Sequence, residues 1–136
     1  MTFAIKTKVP IASTKAEIEK TLTRYGADRF AYMSETGRAI VTFDAKDRRI
    51  RFDVPIPTGD KAGIEQKQRS RWRALLLCIK AKLESVESGI ETFEEAFLAH
   101  VVMPDGQTVS QKLIPQIGLA YKGGDMPSLL PAPRKP

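Results

Sequence analysis

The sequence predicts an α+β fold in the order β-α-β-β-β-α-α-α, an antiparallel meander packed on one long helix. Three observations carry that expectation. Between residues 29 and 56, period-two alternation recurs in three runs joined by turns too short to hold crossover helices. From Ile64 to Ser88, apolar residues then recur at helical period for about 24 residues, twice the mean globular helix. With 136 residues, 42% hydrophobic and 28% charged, the chain can bury one core without metals or disulfides.

Taken in order, the chain opens as a strand, with Phe3, Ile5, Thr7 and Val9 alternating with Ala4, Lys6 and Lys8 until Pro10 ends the run. A helix follows, for which Thr14 and Glu17 read as a capping box, Ile18, Leu22 and Tyr25 as the inner face, and Gly26 as the C-terminal cap. Phe30, Tyr32 and Ser34 mark the next strand, and the Glu35-Thr36-Gly37 turn leads to Arg38–Asp44. A second turn near Ala45-Lys46-Asp47 leads to Arg48–Ile56, where Ile50, Phe52, Val54 and Ile56 oppose Arg49, Arg51 and Asp53.

Prolines and glycines mark a loop over 55–63, the clearest internal break. After the long helix and Gly89, Thr92 and Glu95 form a second capping-box pattern. Thr108 or Val109 begins the last helix, in which Pro115 predicts a kink or a late start. The organisation expected is one domain over 1–122 and an extended Pro-rich tail over 123–136, with Met126, Leu129 and Leu130 as anchors.

The segment Lys67–Lys82, KQRSRWRALLLCIKAK, holds six basic residues and no acidic one. On a helix, Trp72, Leu75, Leu76, Ile79, Leu83 and Val86 share one stripe. Arg69, Arg73 and Lys80 line one flank, and Arg71 and Lys82 the other. Such flanks bind anions, or their stems simply cover apolar surface. Charge is uneven along the chain: residues 1–89 carry 18 Lys and Arg against 11 Asp and Glu, whereas residues 90–136 carry 4 against 5. The whole chain has net charge +6, and its pI is near 9.6. A basic first portion fits a surface for nucleic acid.

Lys46, Arg48, Arg49 and Arg51 crowd the second hairpin, either as a solvated sheet face or as one wall of a groove shared with Arg69, Arg71 and Arg73. Tyr32 either stacks a base there or packs in the core. Other chemistry has little to stand on. His100 and Cys78 are single, so no zinc set exists; Glu94 and Glu95 diverge on a helix; and no phosphate-cradling glycine loop occurs. No cofactor, metal or catalytic residue is expected. The lone cysteine fits a reducing cytoplasm, and no apolar run approaches the ~20 residues of a membrane span.

Three segments, TKAEIEKTLTRYGADRFAY, RWRALLLCIKAKLESVESGIETFEEAFLAHVVMPDGQTV and PQIGLAY followed by MPSLLP, together resemble a family of small proteins of bacterial prophages and integrative conjugative elements. The resemblance implies a mobile-element setting, in which DNA recombination, replication and counter-defence are common tasks. It implies no activity and no site residues. The helix, three-strand meander, long-helix order is also similar to the core of single-strand annealing recombinases and to double-stranded RNA-binding domains, at the level of fold alone.

The function expected from the sequence is non-enzymatic binding of nucleic acid, DNA ahead of RNA, by a phage or mobile-element protein such as a single-stranded DNA binding or annealing factor. The interface would comprise Arg49, Arg51, Arg69, Arg71, Arg73, Lys80, Lys46 and Tyr32. The alternative is a protein–protein inhibitor of a host defence complex; a third reading is a structural or assembly protein that docks its Pro-rich tail on a neighbouring subunit, with a homo-oligomer as a further possible partner.

Overall fold

In the computed structural model, which describes residues 7–124, Pro10 sets the first element. It is extended, at φ −59° and ψ 149°, and its carbonyl accepts from the Thr14 amide at 3.1 Å. Helix α1 (Ile11–Thr23) therefore starts one turn before the expected cap. Thr14 is a buried interior residue and Glu17 does not close a capping box; its carboxylate turns to a neighbouring helix instead. Of the expected opening strand, residues 1–6 lie outside the described residues and residues 7–9 are not in a strand.

Three strands follow, β1 (Asp28–Glu35), β2 (Arg38–Ala45) and β3 (Arg48–Pro55), in one antiparallel sheet of order β1-β2-β3. Val41 stands opposite both Tyr32 and Phe52, so period-two alternation sends Ala39, Val41, Phe43, Ile50, Phe52 and Val54 to the buried face. Met33, Arg49, Arg51 and Asp53 share the opposite face. The β2–β3 hairpin closes through Lys46 and Asp47, both at positive φ (52° and 62°).

Helix α2 (Ile64–Glu87) buries Trp72, Leu75, Leu76, Ile79 and Leu83 against the sheet, the stripe its periodicity sets out. The sheet is not covered by this helix alone. Lys15 of α1 lies over the Trp72 ring, Glu17 meets Arg73 and Lys80, and Tyr25 donates to Glu87 at 2.8 Å. Rising numbers on α1 thus meet rising numbers on α2, and the two helices run parallel on one sheet face. The reason is width: three strands at ~4.8 Å spacing exceed what one helix of ~10–12 Å diameter covers.

Helix α3 (Phe93–Phe97) begins with the expected Thr92–Glu95 capping box. It inserts Phe97 edge-on between Phe43 and Phe52, at centroid distances of 6.2 and 6.3 Å. A 3₁₀ turn (Leu98–His100) leads to Val101, which bridges Ile50 on the outer edge of β3. Helix α4 (Val109–Gly123) starts with a second capping box, Thr108 and Gln111. Pro115 neither delays nor ends α4; lacking an amide hydrogen, it leaves the Gln111 carbonyl without its helical donor. Gly123 belongs to α4 rather than opening a tail, and the expected strap from residue 125 onward lies outside the described residues.

Candidate nucleic-acid interface

Helix α2 and the β2–β3 hairpin supply the expected cations, and the fold determines which of them keep a free charge. On the hairpin, Arg49 grips Asp44 with two hydrogen bonds, Nε at 2.9 Å and Nη2 at 3.2 Å, from the strand position directly opposite. That hydrogen bond holds the Asp44 carboxyl below the ordinary carboxylate range and raises Arg49. Arg48 pairs with Glu94 at 3.2 Å. Arg51 donates to the Gly106 carbonyl and to Gln111 Oε1, both at 2.9 Å, fastening β3 to the start of α4. Lys46 alone among the four stays exposed with no partner among the described residues.

On α2, Arg73 and Lys80 both reach Glu17 of α1 at 2.8 Å. Hydrogen bonds from Lys80 first and Arg73 second hold the Glu17 carboxyl below its ordinary value. Lys82 donates to the Ala96 carbonyl, and Arg69 donates to Gln66 while its Nε is buried without a partner. These four residues line the flanks where the periodicity places them, and each donates a hydrogen bond inside the molecule. Arg71 is different: it is exposed and makes no hydrogen bond or ion pair among the described residues.

The single groove expected between hairpin and helix is not formed. The register pairs Ala45 with Arg48 at the hairpin and Arg38 with Pro55 at the other end of the sheet, ~23 Å away for eight-residue strands. Helix α2 begins at that other end, where Gln68 donates to the Pro57 carbonyl. Arg49 and Arg51 also point to the face opposite Phe52, whereas α2 lies on the Phe52 side. Distance and facing both separate them from Arg69, Arg71 and Arg73.

Tyr32 resolves to the core. Its ring packs on Trp72 at 6.2 Å, its hydroxyl donates to the Lys15 carbonyl, and Lys15 Nζ sits 5.4 Å over the ring. Burial, with the Glu19 carboxylate nearby, pushes the phenol far above its ordinary value. It is partly buried against the core rather than presented as a free platform for a base.

Besides Lys46 on the hairpin and Lys20 on α1, a cluster of exposed cations with no partner among the described residues lies at the start of α2. Lys67 and Arg71 are one turn apart, both exposed, and Lys61 precedes them in the loop. Asp60 is the nearby loop acid, and Glu65 lies about 200° around the helix from Lys67. Lys61, and Lys67 although it opens the basic segment, were not among the expected interface residues, because a count of basic residues does not separate exposed cations from paired ones. The wheel relation between Lys67 and Arg71 was the available signal.

Two further features bear on chemistry. His100 ends the 3₁₀ turn stacked on Phe52 at 4.1 Å, and burial lowers its pKa. Among the described residues, no three His, Cys, Asp or Glu side chains converge as metal ligands, and no helix is long and apolar enough to cross a membrane. An open cleft of about 1260 Å³ between the hairpin and α4 mixes Lys46, Arg48 and Arg49 with Asp44, Asp47 and Glu94, over apolar Leu98 and Leu113. No protein-family model, curated protein or solved structure matches the chain.

Proposed function

We propose that this chain is a non-enzymatic protein that binds the phosphate backbone of duplex nucleic acid, through Lys61, Lys67 and Arg71 at the start of α2. The observation that carries the reading is the unequal neutralisation of its cations. Arg49, Arg73 and Lys80 are held by carboxylates, while Lys67 and Arg71 project side by side with none. In a chain of net charge +6, such a surface attracts phosphates at long range and releases counterions on contact. The parallel α1 and α2 on one face of a three-strand sheet support a shape-reading mode, as the order of elements is similar to double-stranded RNA-binding domains. A single strand is the weaker fit at the start of α2, because sequence-tolerant binding of unpaired bases uses exposed aromatic platforms and Tyr32 and Trp72 are packed together, while the exposed Tyr121 lies on α4. In the mobile-element setting that the sequence resembles, such a protein would serve recombination or replication of the element's DNA.

The test is fluorescence anisotropy with labelled single-stranded DNA, duplex DNA and duplex RNA at ~50 and ~200 mM salt. Duplex binding that weakens with salt, and a slope reduced by about 0.9 per residue in Lys67→Ala with Arg71→Ala, is the expected result. Wild-type protein with no affinity for any of the three at ~50 mM salt overturns the reading.

A second reading, inhibition of a host protein complex, draws on the cleft between the hairpin and α4. Its mixed signs over exposed Leu98 suit a protein surface better than a polyanion. Lys46→Glu with Leu98→Ser would abolish capture of that complex while leaving nucleic-acid affinity unchanged.

A further inference from the structure

The two edges of the sheet end differently. On β3 the outer edge is closed: Val101 bridges Ile50, and the Val102 amide donates to the Arg49 carbonyl at 2.8 Å. On β1 nothing among the described residues pairs with the outer edge. The turns decide which of its backbone groups are open. The two-residue β2–β3 turn sets Ala45 and Arg48 as a hydrogen-bonded pair, so the odd-numbered residues of β2 bond to β3 and the even-numbered ones to β1. Ala31, Met33 and Glu35, opposite Thr42, Ile40 and Arg38, therefore spend their amides and carbonyls inside the sheet. Those of Tyr32 and Ser34 point outward along the free edge.

Such an edge templates a further strand unless a bulge, a proline or a lysine blunts it. The bulge in β1 lies between Asp28 and Ala31; from Ala31 to Glu35 the strand is regular and holds no proline and no cation. At the middle of that run Met33 is 55% exposed, on the sheet face away from the helices.

We propose that β1 pairs with β1 of a second copy, antiparallel about a two-fold axis at Met33, so that one sheet continues through both copies. Three features of the strand select a second copy as its occupant. The hydrogen bonds match, because Tyr32 stands opposite Ser34 of the second copy and outward groups meet outward groups. A slip of one residue would set them against groups already bonded to β2. The apolar surface matches, because Met33 stands opposite Met33 of the second copy in a non-hydrogen-bonded pair, where side chains are closest. The charges match as well. Glu35 stands opposite Ala31 and diagonal to Arg29 of the second copy, and no like charges face each other. Arg29 is free to turn there, since its side chain is 76% exposed and lies 3.7 Å from Asp44.

The inference does not rest on nucleic-acid binding, and its test contains none. Met33→Cys with Cys78→Ser, in the full chain, brings two introduced thiols together on strands about 4.5 Å apart at that pair, within disulfide reach. Ala31→Cys with Cys78→Ser places them about 13 Å apart, beyond it. Under mild oxidation at ~1 mM protein, a crosslinked dimer of the first variant and none of the second is the expected result. No crosslink from Met33→Cys, or equal crosslinking of both variants, overturns the proposal. Sedimentation gives a reading without cysteines. Ser34→Pro removes an outward amide that β2 does not use, a place where an edge strand tolerates proline. It should weaken the dimer by about tenfold or more, since two-fold symmetry removes two ladder bonds at once. Wild type that stays monomeric at ~1 mM, or Ser34→Pro that dimerises as tightly as wild type, overturns the assignment.

Discussion

The Arg73 guanidinium lies 2.8 Å from the Glu17 carboxylate, fifty-six residues away in sequence, and Lys80 Nζ lies 2.8 Å from the other oxygen. One carboxylate on α1 thereby clamps two cations a pair of helical turns apart on α2. The arrangement ties α1 to α2, while burial of Ile18 and Leu22 in the core beside the α2 stripe holds α1 on the sheet. It also removes two of the six basic residues of the Lys67–Lys82 segment from any role that needs a free charge.

Glu17→Gln should therefore cost about 1 kcal/mol at pH 7, a modest figure because all three side chains are partly exposed. The folded state depresses the Glu17 pKa, so it binds this proton less readily than the unfolded chain does. The stabilisation is complete above the ordinary value of 4.5 and is lost as pH falls through the lowered folded value. Thermal melts of wild type and variant should converge as the carboxylate is protonated in acid; a gap that does not narrow as pH falls below 4.5 would assign the stability to another source.

Trp72 is 3% exposed, with Tyr32 against its ring and Lys15 above it. Trp72→Ala should cost about 3–5 kcal/mol, enough to unfold a marginal domain, whereas Trp72→Phe retains most of the packing. Native emission from this single tryptophan should be blue-shifted and protected from quenchers. Emission at the wavelength of free tryptophan contradicts the packing.

The hairpin cations give a contrast with those at the start of α2. Arg49→Ala with Arg51→Ala removes links to Asp44, Gly106 and Gln111, so its principal effect should be on stability. The salt slope for duplex binding should fall by less than one contact, under about 0.9. A fall of about two contacts would return the hairpin to the interface.

Lys46 and Asp47 occupy the two left-handed positions of the β2–β3 turn, where side chains carry a steric cost. Replacing the pair with Asn-Gly, the residues such turns favour, should stabilise the protein by about 1 kcal/mol. Urea unfolding would read this as a higher midpoint at constant slope. A lower midpoint would mean that the native pair makes contacts worth more than the strain.

Local pattern alone was enough to specify the three strands, the Trp72 stripe, the Gly89 terminus of α2 and the Thr92 cap, because each depends on residues within a few positions of one another. The faces of β3 followed in the same way, since alternation separates Phe52 from Arg51 whatever lies around them. Pro10 defeated the cap reading at Thr14: a proline at a helix entry competes with a capping hydroxyl, and a short motif does not say which wins. Tertiary structure alone decided that Arg73 and Lys80 meet Glu17, that Arg49 meets Asp44, that Tyr32 packs on Trp72, and that hairpin and α2 cations lie apart. Those outcomes depend on where distant elements land, and periodicity assigns a residue to a face without naming what that face meets. The sequence thus determined how much positive charge this protein carries, and the packing of α1 beside α2 determined where that charge is free, because a carboxylate within hydrogen-bonding reach neutralises a cation however far apart the two stand in the chain.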